Sequence, residues 1–181
     1  MVTSQMVTLC YGQFAMVEAS GAFFAYMVVM AENGFWPSRL LGLREAWEST
    51  SVNDLLDSYG QEWTFEQRHN LDLAAQTAYF IGVVIAQFAN MYGNKTTRRS
   101  VFQQGIFRNR FMIFAILFTT ALCCFLLYVP KLNRALNLAP NRFLWWLPAV
   151  PFFFYLFAFN EARKFFIRKY PGRFPARQLT Y

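Results

Sequence analysis

Four hydrophobic tracts separated by polar segments dominate the pattern of this chain. They cover about residues 9–30, 73–92, 111–129 and 143–159, and each approaches the roughly 20 residues that a helix needs to cross a bilayer. None of them carries the continuous polar stripe, repeating every 3.6 residues, of a helix on the surface of a soluble domain. The pattern therefore predicts an all-α polytopic membrane protein, one domain over residues 1–181, with a bundle of four transmembrane helices.

Composition supports the membrane class. The 181 residues are 56% hydrophobic and only 15% charged, whereas about 25% of the residues in soluble globular domains are charged. The charged side chains are concentrated between the hydrophobic tracts, as a bilayer requires. A soluble class is therefore excluded.

The distribution of lysine and arginine predicts the orientation. The link between the second and third tracts and the tail over about residues 160–181 are strongly basic, whereas the long loop over about residues 31–70 mixes its basic residues with acidic ones. By the positive-inside tendency, both termini are expected in the cytoplasm and the long loop outside the cell. The net charge of +7 then lies on cytoplasmic flanks, so we expect anionic lipids as partners and no nucleic acid.

The long loop is rich in aromatic residues, and this allows two interpretations. Its aromatic side chains include Trp36, Trp47, Tyr59, Trp63 and Phe65. Exposed aromatic residues at this density are typical of a surface that docks a partner. The alternative is a loop that packs its aromatic residues on itself, over its own bundle.

Residues typical of a catalytic centre are sparse. The single histidine, His69, is expected at the end of the second span, where a solvated flank is the more common role. No glycine-rich phosphate cradle, nucleophile elbow or metal-ligand spacing occurs. The cysteines Cys10, Cys123 and Cys124 lie inside hydrophobic tracts and are expected to be apolar fillers. We therefore expect no catalytic residue, no metal site and no cofactor in this chain.

Four motifs carry a resemblance to a known family. They are Ala-Glu-Asn-Gly-Phe-Trp-Pro at 31–37, Asp-Ser-Tyr-Gly-Gln-Glu-Trp-Thr at 57–64, Ser-Val-Phe-Gln-Gln-Gly at 100–105 and Phe-Arg-Asn-Arg at 107–110. Together they resemble the C-terminal quarter of the alpha subunit of sodium/potassium pumps and gastric-type proton/potassium pumps, which are P-type ATPases. The four predicted spans would correspond to the seventh to tenth transmembrane helices of that family, in the plasma membrane.

The resemblance also implies what lies outside this chain. The family is phosphorylated on the aspartate of an Asp-Lys-Thr-Gly motif, and this sequence does not contain that motif. The chain is therefore expected to be a fragment that cannot hydrolyse ATP alone, with ATP and magnesium as cofactors only of a full-length pump. The expected partners are the rest of the alpha subunit, the beta subunit and lipids. The alternative is a stand-alone, non-catalytic membrane protein that binds a beta subunit or lipids. The first residues show no basic segment or cleavage site of a signal peptide.

Residue roles follow by the same resemblance. In the family, the segment matching Ser58, Tyr59, Gly60 and Gln61 contacts the ectodomain of a single-span beta subunit, and aromatic anchors such as Trp63 in a polar rim suit such an interface.

Four residues in the spans bear on cation binding. Gln87 and Asn90 lie three residues apart, on one face of the second span. The resemblance implies a carboxylate at the position of Asn90 and another at the position of Thr119, and both are replaced here. The loss of two charges should weaken a buried cation site.

Glu18 is an acid inside the first span, where the family typically has an amide. A charge at the bilayer centre costs roughly 2.5–3.5 kcal/mol on insertion scales. Glu18 is therefore either a functional proton or cation contact or a protonated acid bonded to a neighbouring helix. Because it lies on a different helix from Asn90, we expect it to compensate incompletely for the missing carboxylates.

The family ends in two tyrosines that dock between helices and tune sodium affinity. Tyr181 matches the last of them, and Thr180 replaces the other.

Overall fold

A computed structural model describes Gly12 and residues 14–95, 99–105 and 107–170. Within this part of the chain, four helical segments are long and apolar enough to cross a membrane, which confirms the predicted all-α polytopic fold. The long helices are α1 (Ala15–Glu32), α4 (Phe65–Asn94), α6 (Arg110–Tyr128) and α8 (Val150–Lys169).

Shorter elements connect the long helices. They are α2 (Pro37–Leu40), α3 (Arg44–Glu48), β1 (Leu55–Leu56), β2 (Glu62–Trp63), α5 (Val101–Gln104), α7 (Pro130–Ala135) and a 3-10 helix (Phe143–Ala149) that leads into α8. The two strands pair antiparallel, with Leu55 opposite Trp63 and Leu56 opposite Glu62. This small hairpin shapes the loop between α1 and α4.

The helix α4 begins well before its hydrophobic tract. The backbone N–H of Gln67 donates to the Thr64 hydroxyl over 3.4 Å, and the Thr64 N–H donates to the Gln67 side chain over 3.0 Å. This reciprocal capping starts the helix within the polar segment. At about 1.5 Å per residue, the 30 residues of α4 exceed the thickness of the hydrocarbon core. Hydropathy marks only the apolar part of such a helix.

The helices α1 and α4 pack closely and antiparallel, because small residues line their interface. A Cβ atom added to Gly82 of α4 would lie 2.9 Å from the Cα atom of Ala22 on α1. Such close approach maximises van der Waals contact between membrane helices, which gain no hydrophobic stabilisation from each other in lipid. This packing sets which side chains of α1 face which side chains of α4.

The helix α6 lies at the edge of the bundle. Cys123 and Leu127 pack with Ile81 of α4, while Phe111, Phe114, Leu117, Phe118 and Phe125 are exposed. The segment after α7 returns to α4, where Asn141 donates to the Ala74 carbonyl over 2.8 Å and the Ala139 N–H donates to the Thr77 hydroxyl over 2.9 Å. The outer face of α6 is thus free to meet lipid or another protein segment.

Candidate functional site

An intramembrane cluster joins three of the polar residues singled out above. The side chain of Gln87 donates through Nε2 to Glu18 Oε2 over 2.8 Å, and Asn90 donates through Nδ2 to Glu18 Oε1. Gln87 and Asn90 share a face of α4 because they are one helical turn apart, and the tight α1–α4 packing brings Glu18 opposite them. Each carboxylate oxygen of Glu18 therefore accepts one amide N–H.

The side chains seen to bond to Glu18 in this cluster are neutral amides. The helix α1 contains no lysine or arginine, and α4 has Arg68 as its basic residue, near the opposite end from Asn90. The ion pairs Arg44–Glu48 and Lys164–Glu161 do not involve Glu18.

One polar atom of the cluster has no hydrogen-bond partner among the described residues, and one side of the cluster is exposed. The Oδ1 atom of Asn90 is buried and has no hydrogen-bond partner in the described part of the chain. Buried acceptors in proteins are nearly always bonded. Gln87 is exposed and Glu18 is half-buried on the surface of the bundle. The arrangement offers a carboxylate, amide oxygens and an open side within the hydrophobic tracts of two helices.

Thr119 lies outside this cluster. It is half-buried on α6 and makes no hydrogen bond to Glu18, Gln87 or Asn90. The structure thus brings together three of the four residues expected near a cation site. The contact between Glu18 and Asn90 was not predicted. The available signal was that a polar residue interrupts each of two consecutive hydrophobic tracts.

The loop between α1 and α4 has an aromatic core of its own. Phe35 is fully buried, and its ring centroid lies 5.0 Å from that of Trp47 and 5.2 Å from that of Trp63, both edge to face. The buried Arg68 donates to the carbonyl groups of Trp63, Ala46 and Ser49. These contacts fix the loop on the N-terminal end of α4, so the self-packed interpretation holds for Trp47 and Trp63.

Asp57 organises the turn that follows β1. Its Oδ1 accepts the backbone N–H groups of Tyr59 and Gln61 over 2.8 and 2.9 Å, and its Oδ2 accepts the Trp63 indole N–H over 3.2 Å. Burial raises the pKa of this carboxyl, but the hydrogen bonds from Gln61, Tyr59, Trp63 and Gly60 outweigh burial and hold the pKa below its ordinary value. Gly60 adopts a φ of 84°, which favours glycine at this turn.

The turn presents the segment expected to dock a beta subunit. Ser58, Tyr59, Gly60 and Gln61 are all exposed. Tyr59 is 69% exposed, and its hydroxyl accepts the indole N–H of Trp36, which is 51% exposed, over 3.2 Å. Trp36 and Tyr59 are thus exposed enough to contact a partner, as the docking interpretation requires. Trp63 instead bonds to Asp57, which holds the turn that carries Tyr59.

The remaining candidates have structural surroundings or fall outside the described residues. His69 is exposed and stacks on Phe65 with ring centroids 6.1 Å apart. Cys123 is buried and Cys124 is half-buried, both as free thiols. Cys10, Thr180 and Tyr181 lie outside the described residues. Within the described ranges, no three His, Cys, Asp or Glu side chains are grouped to hold a metal ion.

Comparison with known proteins agrees with the resemblance read from the motifs. The family model described as "Cation transporting ATPase, C-terminus" matches residues 1–166. The sodium/potassium-transporting ATPase subunit alpha-B of Artemia franciscana is 47% identical over 181 residues, which is 100% of this chain and 18% of the relative. The alpha subunit of Drosophila melanogaster is 43% identical over 100% of this chain and 17% of its own length. The alpha-2 subunit of Homo sapiens is 44% identical over 100% of this chain and 18% of its own length.

The chain thus spans less than a fifth of the length of these relatives. Its match with the family model and its identity to the relatives nevertheless extend over nearly all of its residues, including the four membrane helices. The chain therefore belongs to the cation-transporting ATPase family and corresponds to the C-terminal membrane region of sodium/potassium-transporting alpha subunits.

Proposed function

We propose that the chain serves as the C-terminal membrane domain of a sodium/potassium- or proton/potassium-exchanging P-type ATPase alpha subunit in the plasma membrane. There it supports the helices of the transport core, docks a beta subunit and tunes cation affinity. ATP and magnesium would act in parts of the pump outside this chain. The observation that carries the proposal is the Glu18–Gln87–Asn90 cluster, because polar groups inside transmembrane helices are rare and usually line a transport path.

The open side of the cluster fits a position against the rest of an alpha subunit. The exposed side chain of Gln87 would be unfavourable against lipid tails, which offer no hydrogen bonds. Further helices of a pump would cover it and supply additional oxygen atoms. Gln87, Asn90 and Glu18 would then lie at the edge of the cation site, with Thr119 contributing from α6.

The loop supplies the surface for a beta subunit. Trp36 and Tyr59 form an exposed aromatic pair within the polar rim of Ser58, Gly60 and Gln61. Aromatic anchors in a polar rim dominate the binding energy of many protein interfaces. The folded support beneath them, from Asp57 and Trp63, orders the surface before binding and so reduces the entropy lost on docking.

The test is a chimera in which this chain replaces the aligned 181-residue segment of the Artemia alpha-B subunit. Expressed with a beta subunit, the chimera should assemble and transport sodium with ATP, but with weaker sodium affinity than unmodified alpha-B. Adding Asn90→Asp with Thr119→Glu should raise the affinity, because two carboxylates return to the site. A chimera that reaches the membrane yet neither binds the beta subunit nor transports sodium would refute the proposal.

A further inference from the structure

We propose that a cavity beside the C-terminal end of α1 binds the headgroup of a choline phospholipid, in the leaflet on the side of the loop between α1 and α4. Because this loop is expected outside the cell, that leaflet is the outer one. The inference goes beyond the proposed function and does not depend on it, since it uses only the fold of this chain. The cavity has a volume of about 250 Å³ and is lined by side chains of α1, of the loop and of α4.

Three of the lining side chains suit a quaternary ammonium group. The rings of Tyr26 and Trp47 and the carboxylate of Asp72 all border the cavity. Asp72 accepts the Tyr26 hydroxyl over 3.0 Å and the Gln76 amide over 2.8 Å, and these neutral donors orient the carboxylate without cancelling its charge. Aromatic rings attract a quaternary ammonium group through their faces, and the carboxylate adds a direct charge–charge attraction.

The apolar part of the wall distinguishes a choline group from an ethanolamine group. The cavity is also lined by Met27, Met30, Leu40 and Leu43. A primary ammonium has three N–H donors that would lose water against this wall, and each oxygen of Asp72 already accepts one hydrogen bond. A trimethylammonium group has no donor to leave unsatisfied, and its methyl groups can contact the methionine and leucine side chains. We therefore expect the cavity to prefer choline.

Arg44 supplies the opposite charge, for the phosphate of the headgroup. It borders the cavity and pairs through Nε with Glu48 over 3.1 Å. Both members of this pair are largely exposed, so the pair contributes little stability, and the guanidinium keeps further N–H donors for a phosphate. A cavity that carries a carboxylate and a guanidinium complements a zwitterion, in which the ammonium and the phosphate are joined by a short linker.

The size and position of the cavity fit the headgroup of a membrane lipid. Pockets for drug-sized ligands measure about 300–1,000 Å³, so this smaller cavity admits a headgroup but not the acyl chains. The exposed Phe23 offers the acyl chains an apolar surface, because it lies about one helical turn deeper in the span and stacks on Tyr26 with ring centroids 6.1 Å apart. The hydrophobic tract of α4 begins directly after Asp72, which places the carboxylate at the depth of the headgroups.

The experiment is native mass spectrometry of the 181-residue chain in detergent micelles, titrated with phosphatidylcholine and with phosphatidylethanolamine of the same acyl chains. We expect one tightly bound phosphatidylcholine, with an affinity about tenfold higher than that of phosphatidylethanolamine. Asp72→Asn should lower the affinity for phosphatidylcholine about tenfold, because the negative charge is lost. The matched control is Asp54→Asn, which removes a carboxylate from an exposed position of the loop and should leave the affinity unchanged.

A second variant blocks the cavity without changing its charge. Met27→Trp places a larger apolar side chain on the wall that α1 contributes, and it should also remove the tightly bound phosphatidylcholine. Circular dichroism shows whether each variant keeps its helices. Glycerophosphocholine has the same headgroup but no acyl chains, so it should displace the lipid only at a far higher concentration.

Several results would overturn the inference. They are a folded Asp72→Asn or Met27→Trp variant that binds phosphatidylcholine at the original affinity, an equal loss of affinity in Asp54→Asn, and equal affinities of the unmodified chain for the two lipids. Displacement by glycerophosphocholine at the concentration of the lipid itself would assign the cavity to a soluble choline compound and so reject a lipid as its occupant.

Discussion

At the scale of single residues, the loop shows how one carboxylate can order an interface. Asp57 is 5% exposed and accepts three hydrogen bonds from the turn and from Trp63. Because charge-assisted hydrogen bonds are stronger than neutral ones, this single side chain holds the turn that displays Tyr59. Asp57 therefore orders the turn, whereas Tyr59, two residues later, is the side chain that the turn exposes.

Replacement of the two loop aromatics separates docking from folding. If Tyr59 anchors the interface, Tyr59→Ala should weaken the binding free energy for a beta subunit by about 2 kcal/mol or more, and less beta subunit should co-purify. The loop should stay folded, because the side chain of Tyr59 is largely exposed. Trp63→Ala should instead destabilise the loop, because it removes the contact with Phe35 and the bond to Asp57. Co-purification and protease resistance distinguish the two effects. Full co-purification of Tyr59→Ala would contradict the docking role.

The pKa of Asp57 predicts how the loop responds to acid. Since the folded pKa lies below the ordinary value of 3.8, the ionised carboxylate stabilises the loop above that value, and this stabilisation is lost as the pH falls through the folded pKa. Tryptophan emission should therefore stay constant from neutral pH to about pH 4 and change only in stronger acid. Asp57→Asn should abolish this transition. A transition near neutral pH in the unmodified chain would be inconsistent with this assignment.

At the scale of elements, the packing of α1 on α4 determines which polar groups meet. Ala22 and Gly82 allow the two backbones to approach closely, and the antiparallel pairing then places Tyr26 beside Asp72 and Glu18 beside Asn90. A shift of one residue along either helix would rotate these side chains by about 100° and separate them. The cluster thus depends on small residues that carry no chemistry.

The change Gly82→Ala tests this dependence. The added Cβ would meet the backbone of Ala22 at 2.9 Å, so the helices must separate, and we expect a destabilisation of about 1–3 kcal/mol despite the better helix propensity of alanine. Unfolding in mixed detergent micelles measures it. The control Ala19→Leu adds more volume on an exposed position of α1 and should have little effect. Equal stability of Gly82→Ala and the unmodified chain would show that this contact is not restrictive.

At the scale of the whole molecule, the number of membrane helices decides which segments share a side of the membrane. If each of the four long helices crosses the bilayer once, the chain before α1 and the chain after α8 lie on the same side, and the loop between α1 and α4 lies on the other side. The basic residues at the end of α8, Arg168 and Lys169, favour the cytoplasm for the ends.

Cysteine accessibility measures this orientation. In a background without Cys10, Cys123 and Cys124, an impermeant thiol reagent should label Ser51→Cys in intact cells, and Lys169→Cys only after permeabilisation. Both positions are exposed in the structure, so labelling reports the side of the membrane. Labelling of Lys169→Cys in intact cells would reject the proposed topology.

The sequence by itself determined the membrane class, the number of spans and the family. Each of these properties depends on one tract or one motif at a time, because the bilayer selects every span separately by its length and hydrophobicity. In the same way, the short loop motif around Tyr59 was enough to indicate the family. Element boundaries were less accessible, since the capping of α4 by Thr64 lies in a polar segment that hydropathy does not mark.

Only the tertiary structure decided which residues meet. Glu18 and Asn90 are 72 positions apart, and their contact depends on the depth and rotation of two helices, which the close approach at Gly82 sets. The same holds for the loop, where composition left docking and self-packing open and the structure assigned Trp47 and Trp63 to a core around Phe35. Contacts between elements follow from packing geometry, and no single tract of sequence contains that information.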